Sequence, residues 1–403
     1  MNSMDQKGNL KALTAQTRPW GRLITTSAAH MVEHLYYVGI ITVVLPLIAA
    51  SLELGMAEVG LLVSAWSLVA GFSNIPSGLL ADFTGRRSLF LGLCLVLLGS
   101  SSMLISFAPD FWTLLVFMAL GAIGGGGFHP QSLTILSTAY PDKRALALGV
   151  HDSSGNLGQV LAPLTIGILL TFMDWRGTLQ VWAVPGLATG LLYALFCKEV
   201  KAESLSRTSF SRMLLNHILT NRTVIRIFFI SVFRTMGQTS LLVFLPFYMY
   251  QELQLSKGAV GVYMSILFLF AGLVPAFSGW ISDRVGRVPM LTACLAASAV
   301  SIAILPYLGP GIPFAIGLGL VGATLWAVRP VIFATAMEAA PPQVAGTLVG
   351  FLFTGNMGLS SVSPLLAGLI ADAFGLGIAL TFIGIFPLLA CLVVLGFLTR
   401  ARA

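Results

Sequence analysis

The sequence predicts an all-α membrane protein: twelve transmembrane helices in two pseudo-symmetric six-helix bundles. Composition and stretch length set the class, and an internal repeat divides it in two. The chain is 57% hydrophobic and 9% charged over 403 residues, whereas a soluble surface carries roughly 25–35% charged residues. Twelve apolar stretches of about 20 residues each match a hydrocarbon core of roughly 30 Å. They begin near residues 25, 57, 88, 111, 145, 176, 223, 258, 289, 312, 343 and 376. Residues 78–87, GLLADFTGRR, return at 279–288 as GWISDRVGRV. Pro46 and Pro246, Cys94 and Cys294, Pro130 and Pro330, and Gly155-Asn156 and Gly355-Asn356 keep nearly the same offset of about 200. A fixed offset across half a chain marks two copies of one structural unit.

Taken in order, residues 1–22 read as a polar, basic cytoplasmic tail. The first stretch is long, carries Glu33 and His34 and ends without a small-residue cleavage pattern, so it should stay as a span. Residues 23–197 form the first six-helix bundle. Residues 198–222 are the one long charged segment and the expected central cytoplasmic loop, in which Phe210 to Leu219 suit an amphipathic helix on an anionic leaflet. Residues 223–400 form the second bundle. Of the Lys and Arg residues, only Arg176 and Lys257 fall in odd-numbered connections and only Arg234 and Arg329 inside spans. The remainder place both termini in the cytoplasm by the positive-inside rule, in a multi-pass plasma (inner) membrane protein. The net charge of +7 therefore reflects topology and not a nucleic-acid surface. Cys94, Cys197, Cys294 and Cys391 lie in apolar segments without metal-ligand spacing and read as reduced packing residues. The short connections leave no room for a soluble catalytic domain, and no cofactor or enzyme activity is expected.

The repeated loop gives Gly78, Asp82, Gly85 and Arg86 in one copy and Gly279, Asp283, Gly286 and Arg287 in the other. Small residues let a neighbouring helix approach. A carboxylate at a membrane edge can accept from Arg side chains or a helix N-terminus, making a latch able to hold and release the two halves. On these residues the chain resembles the major facilitator superfamily, whose signature loop reads GxLaDrxGrr; Val288 stands where a second basic residue is usual. The resemblance implies two bundles around a central cavity that opens alternately to either side. Residues 149–167, GVHDSSGNLGQVLAPLTIG, place Gly149, Gly158, Pro163 and Gly167 at positions of the antiporter glycine-proline pattern, with Ala162 and Ile166 replacing two glycines. The run Gly124–Gly127 followed by His129-Pro130, together with this helix, is similar to the fosmidomycin-resistance exporters.

Ionisable groups inside a membrane are costly and are functional candidates by default. His30, Glu33, His34 and Tyr37 share one helical face. To these the other spans add His129, His151, Asp152, Asn156, Arg234, Gln238, Arg329, Glu338 and Asn356. The offset of 200 matches His34 to Arg234 and His129 to Arg329. Arg234 and Arg329 are permanent cations whose forked geometry suits carboxylate, phosphonate or phosphate. The substrate-binding candidates are thus Arg234, Arg329, His34, Tyr37, His129, Gln238, Asn156 and Asn356. Glu33, Asp152 and His151 are the proton-coupling candidates. His30, near one end of its span, reads as a packing residue. No metal site is expected, since no ligand spacing stands out and two arginines would repel a cation.

These residues point to a monomeric, proton-coupled secondary transporter of a small anionic or amphiphilic organic molecule, working by alternating access as an exporter. Two alternatives stand beside it: proton-coupled uptake of an organic anion or siderophore, and a membrane sensor that binds ligand without moving it.

Overall fold

The computed structural model describes residues 3–199, 220–339 and 345–398. Helix α1 (Ser3–Gly39) passes through one π-helical segment, Ile40–Val44, into α2 (Leu45–Ser51). There follow α3 (Met56–Thr84), α4 (Arg87–Ile105), α5 (Phe111–Ala139), α6 (Arg144–Leu169) and α7 (Trp175–Phe196). The second half holds α8 (Arg222–Gln251), α9 (Lys257–Leu273), α10 (Pro275–Val285), α11 (Arg287–Ile304) and α12 (Ile312–Glu338). It ends with α13 (Ala345–Ser360), α14 (Val362–Phe374), α15 (Leu376–Ile383) and α16 (Ile385–Leu398).

Local chemistry explains the helix ends. Asp110, Asp174 and Asn221 each accept a backbone N–H of the helix they precede, at 2.8–3.3 Å, which satisfies donors that a helix start leaves open. The repeated glycines Gly85 and Gly286 stop α3 and α10 with φ of 68° and 94°, a region that side-chain-bearing residues avoid. Pro275 opens α10 and forces a break after α9, since proline cannot continue the hydrogen-bond ladder. The bend there is 50°.

Among the described residues, ten helices are long and apolar enough to cross a membrane, and α9 with the bent segment after it makes an eleventh. This differs from the twelve spans the sequence predicts. Helix α6 is 26 residues long, but Arg144, His151, Asp152, Ser153, Ser154, Asn156 and Gln159 make it too polar to stand out as a span. It is nevertheless packed between α1 in its own half and α9 in the other. The segments expected at 1–2, 200–219, 340–344 and 399–403, including most of the central loop and Phe210 to Leu219, lie outside the described residues.

The apolar side chains point both ways. Tyr36, Phe128, Phe244, Phe247, Phe268 and Phe314 fill the interior, while Phe72, Phe83, Phe172 and Phe196 stand fully outside. A helix that is apolar all round suits a lipid surrounding. Helices α3, α4, α5 and α7 pack together in the first half, and α8, α11, α12 and α16 in the second.

The halves meet along α6 with α9 and along α3 with α14. A Cβ at Gly167 would lie 3.2 Å from the Gly261 Cα, and one at Gly60 would lie 2.9 Å from the Leu365 Cα. Asp372 accepts from the Met56 and Ala57 amides, both at 2.8 Å. These contacts gather at the end of the molecule opposite the repeated loops. The loop carboxylates pair within their own halves instead: Asp82 with Arg87, and Asp283 with Arg287 at 2.6 Å.

Candidate functional site

Four histidines from three helices meet in the first half. His30 and His34 come from α1, His129 from α5 and His151 from α6. The His30 ring stacks on His151 with centroids 4.0 Å apart, and lies 4.6 Å from His34 and 5.5 Å from His129. Glu33 is buried beside them, with its Oε2 3.9 Å from His34 Nδ1.

Glycine brings these helices close. Four glycines in a row, Gly124–Gly127, let α5 touch three helices at once. A Cβ at Gly124 would lie 2.6 Å from the Cys94 carbonyl oxygen on α4, and one at Gly126 would overlap the Ala70 backbone of α3. Gly125 faces inward, where a Cβ would lie 3.8 Å from Glu33 Oε1. On α6, Gly155 seats the α1 histidines: a Cβ there would sit 2.5 Å from both His30 and His34. Its repeat partner Gly355 seats the Phe228 ring.

Hydrogen bonds orient part of the group. His30 Nδ1 lies 2.7 Å from the His151 carbonyl oxygen, and that oxygen can only accept, so Nδ1 carries the proton. His151 Nε2 meets Ser132 Oγ at 3.2 Å, and Gln159 Nε2 meets His34 Nδ1 at 3.4 Å. Buried without a partner among the described residues are His30 Nε2, Glu33 Oε2 and His151 Nδ1. A native interior rarely leaves such atoms bare, and here three of them share one place.

The second half faces this group with cations. Arg234 is buried on α8; its Nε donates to the Leu325 carbonyl at 2.9 Å and its guanidinium lies 5.9 Å from the Trp326 ring centroid, while Nη2 is buried without a partner. Arg329 stands 5.8 Å from the Phe353 ring centroid and is close enough to act electrostatically on His30, His34, His129 and Arg234. Asn356 donates to Ser231 Oγ at 2.8 Å and leaves its own carbonyl oxygen buried and bare. Tyr37 packs 5.7 Å from Trp66. Asn156 lies at the seam between halves, where a Cβ at Gly272 would meet it at 3.4 Å. Gln238 is half-buried on α8.

Glu33, His34, His129 and His151 thus share one space with Arg329 across from them. Asp152 does not join them in the interior: its side chain is exposed. His30, set aside by sequence as packing, holds the central place, touching His34, His129 and His151. Among the antiporter-like residues, Gly158 admits the Met31 backbone of α1, Pro163 and Gly167 admit Gly261 of α9, and Gly149 has open space around it.

The loop motifs also differ from expectation in detail. Asp82 pairs with Arg87, which lies beside the motif residue Arg86; Arg87 is buried and donates further to Gln131 Oε1 at 3.2 Å. In the second copy Arg287 pairs with Asp283 and also with Glu338 at 2.8 Å. The Arg-Arg dipeptide flags the pair but not which member turns inward. Gln131 was legible as a lone amide in an apolar span, two residues beyond His129.

The sequence profile of the Major Facilitator Superfamily matches residues 34–229 and again 227–403. An uncharacterized MFS-type transporter of Bacillus subtilis is 24% identical, over 95% of this chain and 95% of its own. The fosmidomycin resistance protein of Escherichia coli is 22% identical, over 96% and 95%. A bacterial homolog of the human lysosomal transporter Spinster, solved inward-facing and unoccupied, superposes with a TM-score of 0.80 at 17% identity, over 93% of this chain and 96% of its own.

Proposed function

Because the chain belongs to the Major Facilitator Superfamily, a family of transporters and not of enzymes, we propose that it exports a small organic anion in exchange for protons. The coarser part is plain: this is a multi-pass membrane transporter resembling the fosmidomycin-resistance branch. The reading goes further. It takes α6 as a twelfth span and groups 23–197 and 223–400 as two six-helix bundles, flanked by the tail 1–22 and joined by the loop 198–222. It places both termini in the cytoplasm of the plasma membrane and takes the chain as a monomer.

One observation carries the coupling: Glu33 is buried with an oxygen that accepts no hydrogen bond among the described residues, beside the histidine cluster that Arg329 faces. A carboxylate so placed can exchange a proton when the cavity opens to either side, because its surroundings change while its position in the chain does not. Arg329 and Arg234 supply permanent positive charge for a carboxylate, phosphonate or phosphate group. His34, His129, Tyr37, Gln238, Asn156 and Asn356 complete the wall, and His151 and Asp152 stand by as proton relays. The glycine-rich seams at Gly167 with Gly261 and at Gly60 with Pro364 support rocking of one half on the other, since backbones in close contact can slide without interlocked side chains.

The test is a stabilisation screen of small phosphonates, carboxylates and fosmidomycin on purified protein, followed by flux in liposomes with an imposed pH gradient. Arg329→Ala is expected to abolish both binding and flux of each hit, and Glu33→Gln to abolish pH-driven flux while the protein still reaches the membrane. Normal transport by both variants overturns the assignment. Accumulation of substrate on the acid-driven side opposite to export would establish uptake of an organic anion or siderophore instead. Binding with no flux would establish a sensor.

A further inference from the structure

We propose that His30, Glu33 and His129 form a binding site for a divalent transition-metal ion of the Zn2+ class, with a fourth coordination position left for a further ligand. Sequence spacing argued against a metal, because the three residues come from two helices 96 or more positions apart. The fold overrides that distance. One ligand atom from each of the three lies within 4.8 Å of the others. Two imidazoles and a carboxylate are a ligand set that this class of ion prefers, with the fourth place left to water or another ligand.

Three further observations point to the same site. First, His30 donates Nδ1–H to the His151 carbonyl at 2.7 Å. That bond fixes the tautomer with its lone pair on Nε2, the arrangement typical of metal-ligating histidines, whose second nitrogen is held by a carbonyl or carboxylate. Second, the freed Nε2 is buried and has no hydrogen-bond partner among the described residues, and neither has Glu33 Oε2. Their residues are 3% and 6% exposed. A single cation would satisfy both at once, where a hydrogen-bond donor would satisfy the lone pairs separately. Third, Gly125 leaves the space beside Glu33 open, and any side chain there would fill it.

The geometry is near what binding needs. Ligand bonds of about 2.0–2.1 Å place ligand atoms roughly 3.3 Å apart around one tetrahedral ion, so closure from 4.8 Å asks for side-chain movement of about an ångström. The two arginines oppose a bare cation. Glu33 neutralises part of its charge, and an anion in the fourth position neutralises the rest. The site therefore takes the ion together with a small anion such as chloride, hydroxide or a carboxylate. This inference does not depend on the direction of transport or on the organic substrate, and an ion held by Glu33 would displace the proton that carboxylate carries.

The experiment uses tag-free protein, stripped with chelator, in detergent. Zn2+ is titrated against a chromophoric chelator, and Co2+ uptake is read from its visible absorption. The expected result is one Zn2+ per chain, with Co2+ bands of a four- or five-coordinate site. Glu33→Gln and His129→Gln should each weaken binding by at least about tenfold, and Asp110→Asn, an exposed cap far from the site, should leave it unchanged. His129→Cys should restore binding and add a sulfur-to-cobalt band, which a merely structural histidine would not produce. Wild-type protein that takes up no Zn2+ overturns the proposal without any variant, as does binding that Glu33→Gln and His129→Gln leave intact. Proton flux measured in chelator-containing buffer separates this outcome from the transport reading.

Discussion

The two copies of the loop motif use the same residue types with unequal depth. Arg87 is 6% exposed and leans on Asp82 and Gln131, whereas Arg287 is shared between Asp283 and Glu338 at the surface. Removing the partner of a buried cation strands its charge, while removing one of two partners of an exposed cation does not. Asp82→Asn should therefore lower the melting temperature in detergent, by about 1–3 kcal/mol of stability, and Asp283→Asn should change it little. Equal losses would contradict the distinction. At this scale the sequence told residue type better than residue role. The cost of placing charge in a membrane marked Glu33, His34, His129, Arg234 and Arg329, and the structure brings Glu33, the histidines and Arg329 together. It could not tell Arg86 from Arg87, because the choice depends on where Asp82 and Gln131 stand in space. It also set His30 aside, because position along a span does not reveal that His151 stacks against it at 4.0 Å.

At the scale of the element, α5 shows how a sequence without a patterned face can still be specific. The glycines of Gly124–Gly127 meet different surroundings: Cys94 lies against Gly124 and Gly127, Ala70 against Gly126, and Glu33 beside Gly125, so the substitutions should not be equivalent. A methyl group at Gly126 overlaps the Ala70 backbone, which cannot give way, and Gly126→Ala should cost about 1–3 kcal/mol by overpacking. A methyl group at Gly125 makes ordinary contact at 3.8 Å with Glu33. Gly125→Ala should therefore fold normally and alter transport, because it narrows the space next to the buried carboxylate. Thermal stability and liposome flux measured on both variants check this, and a stable, active Gly126→Ala would contradict it. The helical class was legible, as were most helix starts, while the breaks at Ile40–Val44 and at Pro275 were not. Helix α6 was read as one of the twelve apolar stretches, beginning near residue 145. Its own polarity conceals it, because a helix that lines a polar interior and a seam does not need an apolar composition throughout.

For the molecule as a whole, the halves are held at the end away from the repeated loops. Asp372 joins them there by accepting from two amides at the start of α3, where the helix dipole favours negative charge. The pair is exposed, so its worth is about 0.3–1 kcal/mol. Asp372→Asn should raise the population open at this end by roughly two- to fivefold, read as a longer distance between spin labels at Ser51 and Phe374. An unchanged distance distribution would show that backbone packing at Gly60 and Gly167 suffices for closure. The repeat made the two-part plan legible, since an offset of about 200 ran through prolines, cysteines and glycines alike. Asp372 was not legible, because its partners lie 315 and 316 residues away and outside any motif.

The central claim is that one buried carboxylate, Glu33, links solute movement to proton movement. The most direct measurement is solute-driven pH change inside proteoliposomes, recorded with a trapped dye in chelator-containing buffer, for wild type and Glu33→Gln side by side. The account predicts that solute added to wild-type vesicles moves protons in the opposite direction, and that Glu33→Gln still binds and exchanges solute but moves no protons. Proton movement of wild-type size in Glu33→Gln would contradict it.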